Sequence, residues 1–348
     1  MKRLRRMDGV RGVLAVYVMV AHALPFAALP AWATAPFTHG GAAVNLFFAL
    51  SGLVMVNALE RSGGRFVPFM AARARRLLPA YFYTLIASFL LLLLAGNPLA
   101  TMSWVGAAGR EIMEPHLPPL WPWHLAAHAL LLHGLIPQSL LPYAYVTLLG
   151  PAWSLSTEWQ FYLLIGILVP RRLGRWALAM LALGAAYHGL PAVQAEFSRA
   201  FLPDAAPWFA LGLASAAWLR GTDAVAFPLC LLGTCLLGLM QGPGKALIPF
   251  AWAAIMLAQT QDWGAFLESG ALRYLGAISY PLYLVNEPVQ RALALLLKPW
   301  ALLDAGLFTD LWLPLALLAP IAVAIVLHHA TFSRFPVGPE KSRQAAAF

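Results

Sequence analysis

Charge is what this chain is short of. Asp, Glu, Lys and Arg make up 11% of its 348 residues, against a usual share of about 25%. Acidic side chains are the scarcer, 14 against 23 basic ones. A disordered chain combines charge with few apolar residues, but here AVILMFWYC supply 61%. That composition excludes disorder and collagen. It also exceeds what a soluble fold of this size could hide, so the chain reads as a polytopic membrane protein. Cysteine is limited to Cys230 and Cys235. Five positions apart in one apolar run, they point to different sides of a helix. They cannot bridge it, and they say nothing about redox compartment.

The net charge of +9 invites a nucleic-acid partner, but its distribution argues against one. Lys and Arg sit in short runs between apolar stretches, which is how membrane topology is written. A hydrocarbon core needs about 20 apolar residues per helix. Candidate spans fall near 11–30, 42–60, 79–96, 152–169, 175–192, 206–220, 225–241, 246–260, 274–297 and 311–330. The expected fold is all-α, with about ten transmembrane helices and both termini cytoplasmic. Residues 1–331 form a single membrane domain and 332–348 a short cytoplasmic tail. No repeat, low-complexity tract or further soluble domain is expected. The start resembles a signal peptide, with Ala31-Trp32-Ala33 and Ala33-Thr34-Ala35 as cleavage-like sites. Its apolar run of about 20 residues exceeds the usual 7–15, which points to an uncleaved first helix.

The stretch 123–150 is ambiguous, apolar but broken by His124, His128 and His133. Positive charge decides how to treat it. Lys2, Arg3, Arg5 and Arg6 put the N-terminus inside. Arg61, Arg65, Arg73, Arg75 and Arg76 follow, then Arg171, Arg172 and Arg175, provided that 123–150 makes no net crossing. Arg220, Arg273, Arg334, Lys341 and Arg343 agree. The exceptions are Arg110, Arg199, Lys245, Arg291 and Lys298. The stretch is therefore read as an outer re-entrant or interfacial segment. His124 and His128 share a helix face as zinc ligands can, but no acidic or Cys partner is near, and no metal is expected. His328 and His329 close the last helix at its inner end, where positive charge suits the dipole.

Ionisable groups at membrane depth are the first functional candidates. Arg11 and His22 are eleven residues apart, so they share a face about 16 Å apart along the axis. An extended anionic ligand from the cytoplasm would have its charged end at Arg11 and its reactive end at His22. The bland alternative is a snorkelling Arg and a His satisfied by a neighbouring helix. Glu158, two turns into a span entered from outside, is a second candidate, against a Glu in a wet cavity or an ion pair. Glu287, beside Asn286 and Pro288, is a third. Pro288 breaks the helix there and frees backbone groups that polar neighbours can satisfy. Arg73, Arg75 and Arg76 are either a topology signal on anionic lipid or a phosphate-binding wall. Ser154 and Ser156 lack the setting of an activated serine and read as packing residues.

Several segments together resemble a known family. Asp8-Gly9-Val10-Arg11-Gly12 with His22 resembles the opening of the membrane acyltransferase-3 family. Asn45-Leu46-Phe47-Phe48-Ala49-Leu50-Ser51-Gly52 resembles its second-helix motif. Arg73-Ala74-Arg75-Arg76-Leu77-Leu78-Pro79-Ala80-Tyr81 resembles its first cytoplasmic loop. Trp153-Ser154-Leu155-Ser156 with Glu158, Phe161 and Tyr162 resembles its central motif. Gly276-Ala277-Ile278-Ser279-Tyr280-Pro281-Leu282-Tyr283-Leu284 resembles a late helix. Five motifs in the same order, from residue 8 to about 288, make the resemblance specific.

The resemblance implies transfer of an acyl group, commonly acetyl, from a coenzyme A thioester. The acceptor is a hydroxyl of a surface glycan, a lipid-linked sugar or a small molecule. It implies a multi-pass protein of a bacterial inner membrane, in contact with membrane lipid. Arg11 and His22 match its first-helix motif and Glu158 its central Glu. His22 would act as general base or as an acyl relay, with Arg11 as another catalytic candidate and Glu158 orienting or deprotonating the acceptor from the outer side. Arg11, Arg73, Arg75 and Arg76 would bind the coenzyme phosphates. Asn45, Ser51, Tyr280, Asn286 and Glu287 are the substrate-binding candidates. The sequence departs from the family at Asn45, where an acid is frequent, at Trp159, which replaces a second acid, and at Asn286, often His. The closing motif is poorly matched around Phe332–Pro339. The rival readings are a transporter or flippase of lipid-linked sugars and a non-catalytic subunit of a glycan-export complex.

Overall fold

The computed structural model describes residues 6–98, 116–259 and 261–334. Lys2, Arg3, Arg5, Arg110 and the tail with Lys341 and Arg343 lie outside the described residues. Within them all regular secondary structure is helical, with no strand. The principal helices are α1 (Arg6–Ala23), α2 (Gly40–Arg61), α3 (Phe66–Ala95), α4 (Trp121–Ala129), α5 (Ala152–Leu168) and α6 (Leu173–His188). They continue as α7 (Leu202–Leu219), α8 (Ala226–Gln241), α9 (Ile248–Ala258), α10 (Gly270–Leu303) and α11 (Ala305–Arg334).

Each of the ten apolar stretches falls on one of these helices. Among the described residues four segments are long and apolar enough to cross a bilayer: Arg6–Phe26, Ala31–Arg61, Phe66–Ala95 and Ala305–Thr331. The others are short or carry charge. Helices α5 and α6, with 17 and 16 residues, reach only about 24–26 Å at 1.5 Å per residue. Helix α10 carries Arg273, Glu287 and Arg291.

One correction concerns α1. The sequence reading put His22 midway along a helix at 11–30. The helix ends at Ala23, where Leu24-Pro25-Phe26 tightens into a 3-10 turn. Pro25 has no N–H to continue the ladder and disfavours helical geometry before it. His22 therefore stands in the last turn.

Close backbone crossings set the packing. Helices α1, α10 and α11 pack together, as do α2, α6 and α7. A Cβ on Gly12 would overlap Leu272 and Gly276, and one on Gly276 would overlap the Asp8 carbonyl. Gly52 and Gly212 make the same kind of crossing between α2 and α7. Apolar helices gain little from burial against each other in lipid, so small residues that let backbones touch carry the association.

Pairings between helix ends define two ends of the bundle. At one, Arg6 Nε donates to Glu268 at 3.0 Å, and Arg220 Nη2 donates to Glu60 at 3.0 Å and to Asn57 at 2.5 Å. This is the basic end. Segment 116–151 covers the other. Tyr81 donates to the His128 carbonyl at 2.7 Å, Ser88 to the Leu148 carbonyl at 2.6 Å, and Ser156 to the Leu131 carbonyl at 2.7 Å. Helix α3 ends and α5 begins at this same end. His128 and His133 stack at 4.0 Å and donate through Nε2 to the carbonyls of Ala144 and Ala152. Burial of this segment pushes His133 down to about 4.

Candidate active site

A cavity of about 780 Å³ lies between α1, α2, α3, α5 and α10. Its mouth is at the basic end, among Asp8, Asn57, Glu60 and Arg61. Glu60 is already held by Arg220. Further in come Arg11, Arg73 and Arg76 with Glu158 as the acid facing them. Away from the arginines the lining is mostly apolar, and there the rings of Phe47 and Tyr283 meet edge to face at 6.2 Å.

Helical phase decides which arginines face inward. Arg73 and Arg76 are three apart and share a face of α3, whereas Arg75 falls on another. Arg75 is exposed and does not line the cavity. The Nη1 of Arg73 reaches only the Met55 sulfur, at 3.8 Å, and its buried Nε has no hydrogen-bond partner. A buried guanidinium with an unsatisfied donor facing a cavity is suited to an anionic ligand.

Glu158 is the most constrained acid of the site. Ser51 from α2 and Tyr162, one turn on along α5, both donate short hydrogen bonds to its Oε1. It lines the same cavity as Arg11, Arg73 and Arg76, and His22 does not. Tyr280 also lines the cavity, and its hydroxyl donates to the Leu77 carbonyl at 2.9 Å.

His22 lies outside the cavity lining, on the side of Tyr283. Its Nδ1 is 2.6 Å from Asn286 Oδ1. The Asn286 amide donates to the carbonyls of Tyr283 at 2.6 Å and Leu282 at 3.2 Å. Tyr283 therefore belongs both to the cavity wall and to the turn that holds Asn286. Ser154 donates to the Tyr283 hydroxyl at 2.9 Å.

Glu287 forms a separate cluster. It accepts from Arg291, one turn on, which is 4% exposed. Arg291 also donates to Ser88 at 3.1 Å, and Gly150 packs against the Glu287 carboxylate. This ties α10 to the covering segment. Asn45 is half-buried on α2 and does not line the cavity.

Arginine 11, Ser51, Arg73, Arg76, Glu158 and Tyr280 are thus brought together, while His22 with Asn286, Glu287, Asn45 and Arg75 are placed elsewhere. Sequence reasoning gave no role to Tyr283 or Arg291. The Glu287–Arg291 spacing of four was the signal for Arg291. Among the described residues no group of three His, Cys, Asp or Glu could hold a metal ion.

A family profile described as an acyltransferase domain matches residues 4–329. The chain belongs to the acyltransferase-3 family. No curated protein and no solved structure matches it. In this acyltransferase-3 protein the motif residues divide by task. Gly12, Gly52 and Gly276 are helix crossings. Arg11, Ser51, Arg73, Arg76, Glu158 and Tyr280, from the same motifs, face one cavity. The family makes the chain an acyltransferase, and its apolar helices make it a membrane protein.

Proposed function

We propose that this acyltransferase moves an acyl group, acetyl by first preference, from a coenzyme A thioester to a hydroxyl of a surface glycan, a lipid-linked sugar or a small molecule. Its place would be a bacterial inner membrane, with membrane lipid around it. The observation that carries the reading is one cavity lined by three arginines, whose mostly apolar end lies beside the His22–Asn286 turn.

Arg11, Arg73 and Arg76 would hold the coenzyme phosphates through charge-assisted hydrogen bonds. The orphaned Arg73 Nε supports this assignment. The acyl end of the donor would lie at the apolar end, about 16 Å from Arg11 along α1. His22 would take the proton of the acceptor hydroxyl as its oxygen bonds to the thioester carbon. The C–S bond then breaks, and the proton ends on the departing thiolate. We assign Glu158 to the donor side, because it lines the same cavity as Arg11, Arg73 and Arg76.

The test is His22→Ala in purified protein. It is expected to be extracted as a folded species, to bind coenzyme A with unchanged affinity and to lose acyl transfer. Turnover at the wild-type rate would overturn the mechanism.

A further inference from the structure

This inference rests on His22 being the proton acceptor of the proposed reaction. We propose that Asn286 is a positioning residue that holds His22 in its Nδ1–H form and so leaves Nε2 as the basic atom.

Helices α1 and α10 run parallel and touch backbone to backbone where Gly12 meets Gly276. His22 and Asn286 each lie ten residues beyond that crossing, so both rise about 15 Å from it. The two glycines thus fix the height at which the imidazole and the amide meet.

The two ends of the amide are then distinguishable. Asn286 is fully buried. One end faces the carbonyls of Tyr283 at 2.6 Å and Leu282 at 3.2 Å. Carbonyl oxygens only accept, so that end must be the NH2 group. A flipped amide would set its oxygen against both carbonyls and lose two hydrogen bonds. The other end is therefore Oδ1, and it lies 2.6 Å from His22 Nδ1. An amide oxygen also only accepts, so Nδ1 carries the hydrogen. In a neutral imidazole the lone pair then belongs to Nε2. Both anchoring carbonyls belong to α10 itself, so the amide is aimed before His22 meets it.

The test reads the tautomer directly, in full-length protein carrying 15N-labelled histidine. The His22 resonances are assigned by their loss in His22→Ala. Near neutral pH the wild-type protein is expected to show a protonated Nδ1 and a bare Nε2. Asn286→Leu removes the acceptor and is expected to shift the proton to Nε2 or to leave a mixture. Asn286→Asp restores an acceptor, and Nδ1 is expected to keep its proton. Turnover of bound donor should fall about tenfold or more in Asn286→Leu at unchanged coenzyme A affinity, and less in Asn286→Asp. A bare Nδ1 in the wild-type protein overturns the proposal and requires no variant to fold. An unchanged Nδ1–H form in folded Asn286→Leu overturns it as well. If the tautomer follows Asn286 but His22→Ala retains full turnover, the pairing stands and the catalytic reading falls.

Discussion

Arg75 and Arg76 adjoin in sequence and face opposite surroundings. One projects from α3 as an exposed side chain, and the other lines the cavity with Arg73 and Arg11. A hydrogen bond to a charged group is worth about 1.5–3 kcal/mol, and about 1.4 kcal/mol is tenfold in affinity. Arg73→Ala and Arg76→Ala are therefore expected to weaken coenzyme A binding about tenfold or more. Arg75→Ala should leave it within about twofold. Titration calorimetry of the three variants decides this, and equal losses in all three would mean that α3 acts only through its total charge.

Helix crossings carry the second level of organisation. The Gly12–Gly276 contact leaves no room for a side chain, because backbone atoms of one helix lie where the other's Cβ would be. Gly276→Val is expected to cost at least about 1–3 kcal/mol by overpacking. Gly41, at the start of α2, has open space around its Cβ position, so Gly41→Ala should stay within about 0.5 kcal/mol. Melting of both variants in detergent is the check. The covering segment is held by other means, through buried histidines donating to backbone carbonyls. His133 is lowered to about 4 from an ordinary 6.5. Between those values the unfolded segment takes up a proton that the folded one refuses. The stabilisation is complete above pH 6.5 and falls as pH drops toward 4. Protection of the amides within 124–151, measured as exchange relative to the intrinsic rate at each pH, should therefore weaken between pH 7 and 5, and His133→Phe should flatten that dependence. Protection that is constant or grows over that range would contradict the assignment.

The whole molecule is organised by which helix ends share a surface. The arginines flanking α1, α2, α7 and α10 gather at one end, and segment 116–151 leaves and rejoins the bundle at the other. The charge bias is the ground for expecting the basic end in the cytoplasm. In a variant lacking Cys230 and Cys235, Ser139→Cys is expected to react with an impermeant reagent from outside. Arg172→Cys should react only after permeabilisation. Labelling of both from the same side would mean that the stretch between them does not run from one face of the membrane to the other.

Composition and period alone determined the helical class and the positions of the ten apolar stretches, and the same period sets Arg75 apart from Arg73 and Arg76, with which the motif reading had grouped it as one phosphate-binding set. Each of these depends only on neighbours along one helix, where 3.6 residues per turn fixes the geometry. The same arithmetic put Arg11 and His22 on one helix, but it could not foresee that Pro25 would end that helix one residue after His22. Counting along one helix gave a depth for Glu158. It could not tell that Ser51, 107 residues earlier, would seat the carboxylate among the arginines. Nor could it pair His22 with Asn286 across 264 residues. Those meetings depend on where separate helices cross, and the crossings are set by glycines whose partners are other backbones. A sequence records that a position is glycine. Only the packed structure decides which helix comes close enough to need it.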